Sequence, residues 1–125
     1  MRDLKLRIWD RSCRQMTLAN LYWFAEHHVH TMPDDLPKRY DVMFSTRRRD
    51  TQLHDIYQAD ILKNDAGILW KVQWNVEKAG FELEWCGGPQ PVYPRSGMYL
   101  VGIMPSVIVG NLYQNAELAS ATRAG

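Results

Sequence analysis

The feature that most constrains this chain is an alternation of apolar and polar residues in two neighbouring stretches, ILWKVQW (68–74) and FELEW (81–85). A period of two places successive side chains on opposite faces of a β-strand. A third strand is predicted over residues 56–63, and short turns, NDAG and NVEKAG, separate the three. We therefore expect an antiparallel meander, which is the usual core of a small barrel or sandwich.

The N-terminal stretch also alternates. Leu4, Leu6 and Ile8 fall on one face of a predicted strand over residues 4–10, whereas Trp9 falls on the other face with charged neighbours. A half-buried strand is the structure that such a pattern indicates. A polar turn follows, and a second strand is predicted to open near Met16.

Residues 17–31 permit two interpretations. Their apolar residues can form a helical stripe, but the aromatic cluster LYWF is also typical of a strand. The pattern slightly favours a strand over residues 21–24. After a proline-containing loop, a strand is predicted over residues 41–46, and RRRDTQLHD is predicted to be a polar connection.

The C-terminal third contains a Gly- and Pro-rich loop over residues 86–97 and two further predicted strands, 98–103 and 106–110. Pro105 cannot donate to a ladder, so it marks a strand start, an edge or a bulge. A short helix is predicted over residues 116–122. The prediction for the whole chain is one mainly β domain, 1–125, with its core over residues 40–111.

Composition narrows the classes of function. The chain has 125 residues, and 15 Lys and Arg nearly balance 14 Asp and Glu, which gives no long-range attraction to nucleic acid or to an anionic membrane. No apolar run is long enough for a membrane span, and the N-terminus lacks a signal peptide's apolar region. We therefore expect a cytoplasmic protein, with Cys13 and Cys86 as free thiols.

Three segments carry a family likeness: KLRIWD (5–10), a central stretch over residues 46–61, and VGNLYQNAEL (109–118). In order and approximate spacing they resemble the YopX family, small proteins typical of bacteriophages and prophages. The family's central motif resembles Thr-Gly-x-x-Asp-x-x-Gly-x-x-Ile-Tyr-Glu-Gly-Asp-Ile. The matching signature positions in this sequence are Trp9, Asp10, Thr46, Asp50, Ile56, Tyr57, Asp60, Ile61, Gly110, Asn111, Tyr113, Asn115 and Glu117.

The chain departs from that motif at three glycines. Arg47 and Leu53 stand where the family favours Gly, and Gln58-Ala59 replaces Glu-Gly. The resemblance implies a small antiparallel SH3-like barrel with an extra N-terminal strand segment and a short C-terminal helix, and it makes self-association plausible. It implies no assigned activity and no catalytic residues.

The ending of the chain has its own local chemistry. Gly110-Asn111 can adopt the positive φ that lets a strand bend or bulge. Asn115 is a suitable N-cap for the predicted helix, and Glu117 in its first turn favours the helix dipole. These residues are therefore interpreted as structural rather than as a site.

The histidines of HHVH are weak candidates for metal ligands. In a strand, His28 and His30 would share one face and His27 would lie opposite. A transition metal would need a third ligand, for which Cys13, Cys86, His54 and Asp34 are available. The alternative is a polar strand end beside a loop, and no metal or cofactor is predicted.

A local basic run offers a weak candidate for nucleic-acid binding. Arg47, Arg48 and Arg49 could clamp a phosphate backbone, because guanidinium groups donate bidentately. The alternative is a solvated turn, which the balanced net charge favours.

The tryptophans and carboxylates complete the candidates. Trp70, Trp74 and Trp85 have core-like spacing, whereas Trp9 is a candidate for an exposed association surface. Glu82 and Glu84 fall on the predicted solvent face, where nothing would raise a carboxylate pKa for acid-base chemistry.

No catalytic signature stands out in the sequence. It contains no Gly-x-Ser-x-Gly elbow and no phosphate-binding glycine loop. The leading hypothesis is thus a phage or prophage accessory protein that acts by protein association, as a homo-oligomer, rather than an enzyme. The alternative is an SH3-like module that binds nucleic acid. Self, or a phage or host protein, is the expected partner.

Overall fold

A computed structural model of the protein describes residues 5–20, 39–91, 98–99 and 105–120. The chain divides into two compact units, residues 1–45 and 46–125. The protein is mainly β with two antiparallel sheets, one of them curled into a half-barrel, which confirms the predicted class. The elements are β1 (Leu6–Asp10), β2 (Gln15–Ala19), β3 (Tyr40–Arg49), β4 (Asp55–Tyr57), β5 (Asp60–Asn64), β6 (Leu69–Asn75), β7 (Gly80–Gly87), β8 (Met98–Tyr99), β9 (Ser106–Asn111) and α1 (Ala116–Ser120).

In the first unit, β1 lies between β2 and β3 and pairs antiparallel with both. Leu6 and Ile8 are buried, as their alternation predicts. Trp9, which the sequence offered as a candidate for an exposed association surface, is buried instead and only 7% exposed. A central strand can be covered on both faces, and the Arg14 guanidinium lies 6.0 Å from the centre of the Trp9 ring.

The prediction that residues 47–55 form a polar connection is wrong at both ends. The strand β3 continues to Arg49, and β4 already begins at Asp55. The long strand predicted over residues 56–63 is also wrong, since a turn at Gln58 and Ala59 divides it into β4 and β5.

That dividing turn has a physical cause. The Asp60 carboxylate accepts a hydrogen bond from the backbone N–H of Tyr57 at 2.8 Å, and Ala59 donates to the carbonyl of Val72 at 2.9 Å. Ala59 has a left-handed φ of 77°. The chain therefore turns at Gln58 and Ala59, within the stretch for which the sequence predicts one continuous strand.

The second unit contains a five-stranded sheet of order β8-β7-β6-β5-β9. The predicted meander is confirmed, because β5, β6 and β7 are consecutive antiparallel neighbours. The strand β4 has β3 as its neighbour. The core of this unit consists of Ile56, Leu62, Ile68, Trp70, Val72 and Leu83, with Phe81, Trp85 and Ile108 packed against it.

The end of the chain follows the predicted order. Pro105 directly precedes β9, and the helix α1 begins at Ala116, as expected. A β-bulge interrupts β9, because Ile61 pairs with Gly110 and Leu62 with Ile108, which leaves Val109 as the extra residue. The bulge therefore lies directly before Gly110, within the region where the sequence predicts one.

Several sequence predictions concern residues outside the described ranges. Residues 17–19 belong to β2, whereas the strand considered over residues 21–24 and the whole HHVH cluster lie beyond the described part of the chain. The single domain 1–125 and its core over residues 40–111 stay predictions.

Candidate functional site

The centre of the family-like signature is Asp50, whose side chain is fully buried in the second unit. One carboxylate oxygen accepts hydrogen bonds from the backbone N–H groups of Gln52 and His54, both at 2.9 Å. The other accepts one from the backbone N–H of Ile108 at 3.0 Å. Asp50 therefore fixes the loop that follows it and ties this loop to β9.

The environment of Asp50 shifts the pKa of its carboxyl group by two opposing effects. Burial by itself raises the pKa, but the backbone N–H groups of Ile108, His54 and Gln52 lower it more, so the pKa of the carboxyl lies below its ordinary value. The His54 ring nitrogen Nδ1 lies 3.7 Å from the same carboxylate and is exposed to solvent. Asp50 is thus a charged structural group at neutral pH.

The outer edge of β9 is capped by the same loop. The carbonyl of Ser106 accepts hydrogen bonds from the backbone N–H of Thr51 at 3.0 Å and from its hydroxyl at 3.2 Å. Together with the bond from Ile108 to Asp50, these contacts occupy backbone groups that would otherwise template a further strand. Asp50 and Thr51 therefore protect this sheet edge.

Three positions of the signature have left-handed backbone without being glycine. Arg47, Leu53 and Ala59 have φ values of 61°, 64° and 77°. These are the three positions where the YopX-like motif has glycine. Side chains with a Cβ are disfavoured there, by about 1 kcal/mol or more per residue. These three positions thus have a backbone geometry that favours glycine, although each of them bears a side chain.

The ending of the chain is a compact hydrogen-bonded turn. The Asn111 carboxamide oxygen accepts hydrogen bonds from the backbone N–H groups of Tyr113 at 3.0 Å and Gln114 at 2.9 Å. The Asn115 side chain accepts one from the backbone N–H of Asn111 at 3.2 Å, so it reaches back to β9.

Glycine at position 110 is required for space. Its φ is not positive, so the expected use of its conformational freedom is wrong. A Cβ at this position would lie 2.6 Å from the Asn115 side-chain oxygen. Gly110 and Asn115 are therefore a packed pair, and Glu117 follows on the exposed face of the first turn of α1.

The other signature residues also have structural surroundings. The Thr46 hydroxyl donates to the carbonyl of Ile56 at 2.7 Å and accepts from the backbone N–H of Arg48 at 3.1 Å. Ile56, Tyr57, Asp60 and Ile61 are buried. In the first unit, Asp10 forms an ion pair with Arg39 at 3.3 Å and a hydrogen bond with the Ser12 hydroxyl at 2.6 Å.

The surface feature that sequence reasoning missed is an apolar ledge at the turn end of the β6–β7 hairpin. Trp74, predicted to be core, is 44% exposed, and Val76 in the turn is 81% exposed. The Trp74 and Phe81 rings pair across the strands edge to face, with centroids 5.0 Å apart. We call Trp74, Val76 and Phe81 the hairpin ledge.

The register explains why the ledge is apolar. Trp74 and Phe81 share a face of the sheet with the buried pair Val72–Leu83 and with Trp70–Trp85, of which Trp70 is buried and Trp85 is half-buried. The hairpin extends past the core, so Trp74 reaches solvent on this face while Phe81 still packs against the core. Alternation predicts which face Trp74 occupies, but the length of the hairpin relative to the core decides its exposure.

The opposite face of the hairpin buries a carboxylate. Glu82, predicted to face solvent, is only 5% exposed. Its two oxygens accept hydrogen bonds from the side-chain amides of Gln73 at 2.8 Å and Asn75 at 3.1 Å, and the Lys78 ammonium lies 3.9 Å away. These donors satisfy the carboxylate, so Glu82 links the two strands of the hairpin. The sequence signal for this buried carboxylate is the presence of side-chain amides on β6 opposite an acidic residue on β7.

The basic run lies at the end of β3. Arg47, Arg48 and Arg49 are all exposed, and Arg49 forms an ion pair with Asp55 at 3.3 Å. The structure thus places the three arginines together on an exposed strand end. Their assignment to nucleic acid stays a prediction.

The metal candidates find no support among the side chains that the structure describes. His28 and His30 fall outside them, and no cluster of three His, Cys, Asp or Glu side chains occurs within the described ranges. Cys13 is exposed, whereas Cys86 is buried, and burial raises the pKa of the Cys86 thiol to about 11. That thiol is therefore protonated at neutral pH and unsuited to nucleophilic chemistry.

Comparison with known proteins gives a likeness of fold alone. No family model matches the chain, and no curated protein matches it. Among solved structures, the crystal structure of protein EF1440 from Enterococcus faecalis is similar, with a TM-score of 0.53 and 15% sequence identity. The match covers 93% of this chain and 97% of that chain, so the likeness extends over nearly the whole fold.

Within the described residues, no helix has both the length and the apolar character that crossing a bilayer requires.

Proposed function

We propose that this chain is a YopX-like accessory protein of a phage or prophage, and that it works by protein association as a homo-oligomer rather than by catalysis. The observation that carries the proposal is the hairpin ledge, in which an exposed Trp74 pairs with a half-buried Phe81 and an exposed Val76 follows in the turn. Exposed aromatic residues with a polar surround are enriched at protein interfaces.

The kinship part of the proposal is supported by backbone geometry. The signature places glycine at three positions, and at each of them this chain has a left-handed residue, Arg47, Leu53 or Ala59. Such residues are uncommon, so three coincidences with one motif are informative. The same kinship extends the proposal to an SH3-like barrel in the second unit and to a role inside the bacterial host cell.

The association part is supported by the energetics of the ledge. An exposed tryptophan gains free energy when a partner covers it, at roughly 25 cal/mol for each Å² of apolar surface removed from water. The Trp74 ring is already held by Phe81 and by cross-strand pairing, so little side-chain entropy is lost on binding. The ledge is therefore preorganised for a protein partner.

Light scattering on the purified protein tests the proposal directly. We expect a mass above that of one chain, 14.6 kDa, at micromolar concentrations. A mass of one chain across that whole range would contradict homo-oligomer formation.

A second candidate function is nucleic-acid binding through Arg47, Arg48 and Arg49, favoured by their shared exposure at one strand end. Phosphate contacts make affinity fall steeply with salt. Binding to single- and double-stranded DNA and RNA should therefore be measured at low and moderate salt. A variant with all three arginines replaced by serine is the matched control, and equal binding by both proteins would eliminate this candidate.

A further inference from the structure

One side of β9 is covered by a short loop rather than by a strand. Among the described strands β9 ends its sheet, so one side pairs with β5 and the other meets residues 50–54, which we call the edge clip. The Asp50 carboxylate accepts a hydrogen bond from the backbone N–H of Ile108 at 3.0 Å. The Ser106 carbonyl accepts two from Thr51, at 3.0 and 3.2 Å. These are backbone groups that a further strand would use.

Hydrogen bonds rather than packing keep the edge clip closed. Residues 51–54 are all exposed, and the Leu53 side chain is 72% exposed. Leu53 also has a left-handed φ of 64°, which disfavours the closed loop. Against this, the buried Asp50 carboxylate accepts hydrogen bonds from two backbone N–H groups within the clip and from that of Ile108 in β9. The closed clip therefore depends on one carboxylate.

The covered strand has the composition of one that pairs readily. The sequence of β9 is SVIVGN, in which Val107, Ile108 and Val109 are consecutive β-branched residues, and it contains neither a charged residue nor a proline. Folded proteins cover or charge such an edge because it templates strand addition. Two identical strands related by a two-fold axis pair antiparallel, and no like charges would oppose each other in a β9 pair. A second copy of this chain therefore fits an opened edge.

We propose that the edge clip is an autoinhibitory contact. While it is closed, β9 is unavailable for pairing with another chain. When it opens, the backbone groups of Ser106 and Ile108 pair with β9 of a second copy, over the stretch that precedes the bulge at Val109. This inference goes beyond the proposed function and does not rest on it, because the hairpin ledge belongs to β6, β7 and their turn.

Asp50→Asn opens the clip with the smallest change of shape. Asparagine has one acceptor oxygen where aspartate has two, so its NH₂ group faces donors that the carboxylate satisfies. The exchange rate of the Ile108 backbone amide hydrogen, measured by NMR on the full chain at low and high micromolar concentrations, reports both opening and pairing. Association through the hairpin ledge does not involve β9, so this amide separates the two contacts.

In the wild type, we expect the Ile108 amide to exchange at the same slow rate at every concentration. In Asp50→Asn it should exchange about tenfold faster at low concentration, because a hydrogen bond to a charged group is lost. The rate should fall again as the concentration rises and a second copy covers the edge. Asp50→Asn combined with Val109→Lys is the matched control. A charge on this edge opposes pairing, so fast exchange should persist at all concentrations.

Two results would overturn the inference. Slow exchange of the Ile108 amide in Asp50→Asn, as in the wild type, would show that the clip does not close the edge. Fast exchange that is independent of concentration would exclude a second copy as the occupant. Should Asp50→Asn lose its fold, Thr51→Val decides by the same readout, since it removes only the hydroxyl bond to Ser106. A wild-type chain that is monomeric by light scattering contradicts the proposed function and leaves the clip intact.

Discussion

The Asp50 carboxylate accepts a hydrogen bond from the backbone N–H of Ile108 across 58 positions of the sequence. Together with the bonds from Thr51 to the Ser106 carbonyl, that contact joins the loop after β3 to the last strand. The backbone N–H groups of Gln52 and His54 bind the other oxygen of the carboxylate. The second unit therefore depends on a buried ion whose partners are all neutral backbone groups or one exposed histidine.

Removal of this carboxylate should be costly. Asp50→Ala leaves buried backbone N–H groups without acceptors, so we expect a loss of about 3 kcal/mol in the free energy of unfolding. Urea denaturation measures it. Asp65→Ala is the control, since Asp65 is an exposed turn residue and its replacement should cost about 0.5 kcal/mol or less. Equal losses for the two variants would show that Asp50 is not the anchor of β9.

The same group predicts a dependence on pH. The pKa of Asp50 is lower in the folded protein than its ordinary value of 3.8, so protons bind preferentially to the unfolded chain. Its contribution to stability is then complete above pH 3.8 and is lost as the pH falls toward the folded pKa. Asp50→Asn cannot titrate. The stability gap between the wild type and Asp50→Asn should narrow on acidification below pH 3.8, and a gap that stays constant would contradict this assignment.

The left-handed positions predict stabilising substitutions. Leu53→Gly and Ala59→Gly should each raise the free energy of unfolding by about 0.5 kcal/mol, because relief of the strained backbone exceeds the entropy cost of glycine. Arg48→Gly is the control, since Arg48 has negative φ beside Arg47, and it should lower stability by about 0.5–1 kcal/mol. Thermal melting compares the three, and destabilisation by all of them would contradict the left-handed geometry.

The left-handed positions could be predicted only from the family resemblance, because neither Arg47 nor Ala59 is a residue type that indicates positive φ. The meander of β5, β6 and β7 was predictable, since its alternation and turns are local. The exposures of Trp9 and Trp74 were not. Alternation assigns a face but does not say whether another part of the chain covers that face. Glu82 was missed for the same reason.

Gly110 and Asn115 predict a coupled pair. Gly110→Ala should cost about 2 kcal/mol, because the new Cβ would meet the Asn115 side chain at 2.6 Å. Asn115→Gly removes that side chain and should largely tolerate Ala at position 110. In a double-mutant cycle by urea denaturation, we therefore expect a coupling energy of about 1 kcal/mol or more. Simple additivity would contradict the packing of this pair.

Association through the hairpin ledge is the central claim, and the sedimentation coefficient of the wild-type chain, measured against concentration, tests it most directly. We expect the coefficient to rise with concentration in the micromolar range, because copies assemble as Trp74 and Val76 become covered. Val76→Lys should flatten that rise. A wild-type coefficient that stays at the value for one chain throughout would contradict the account.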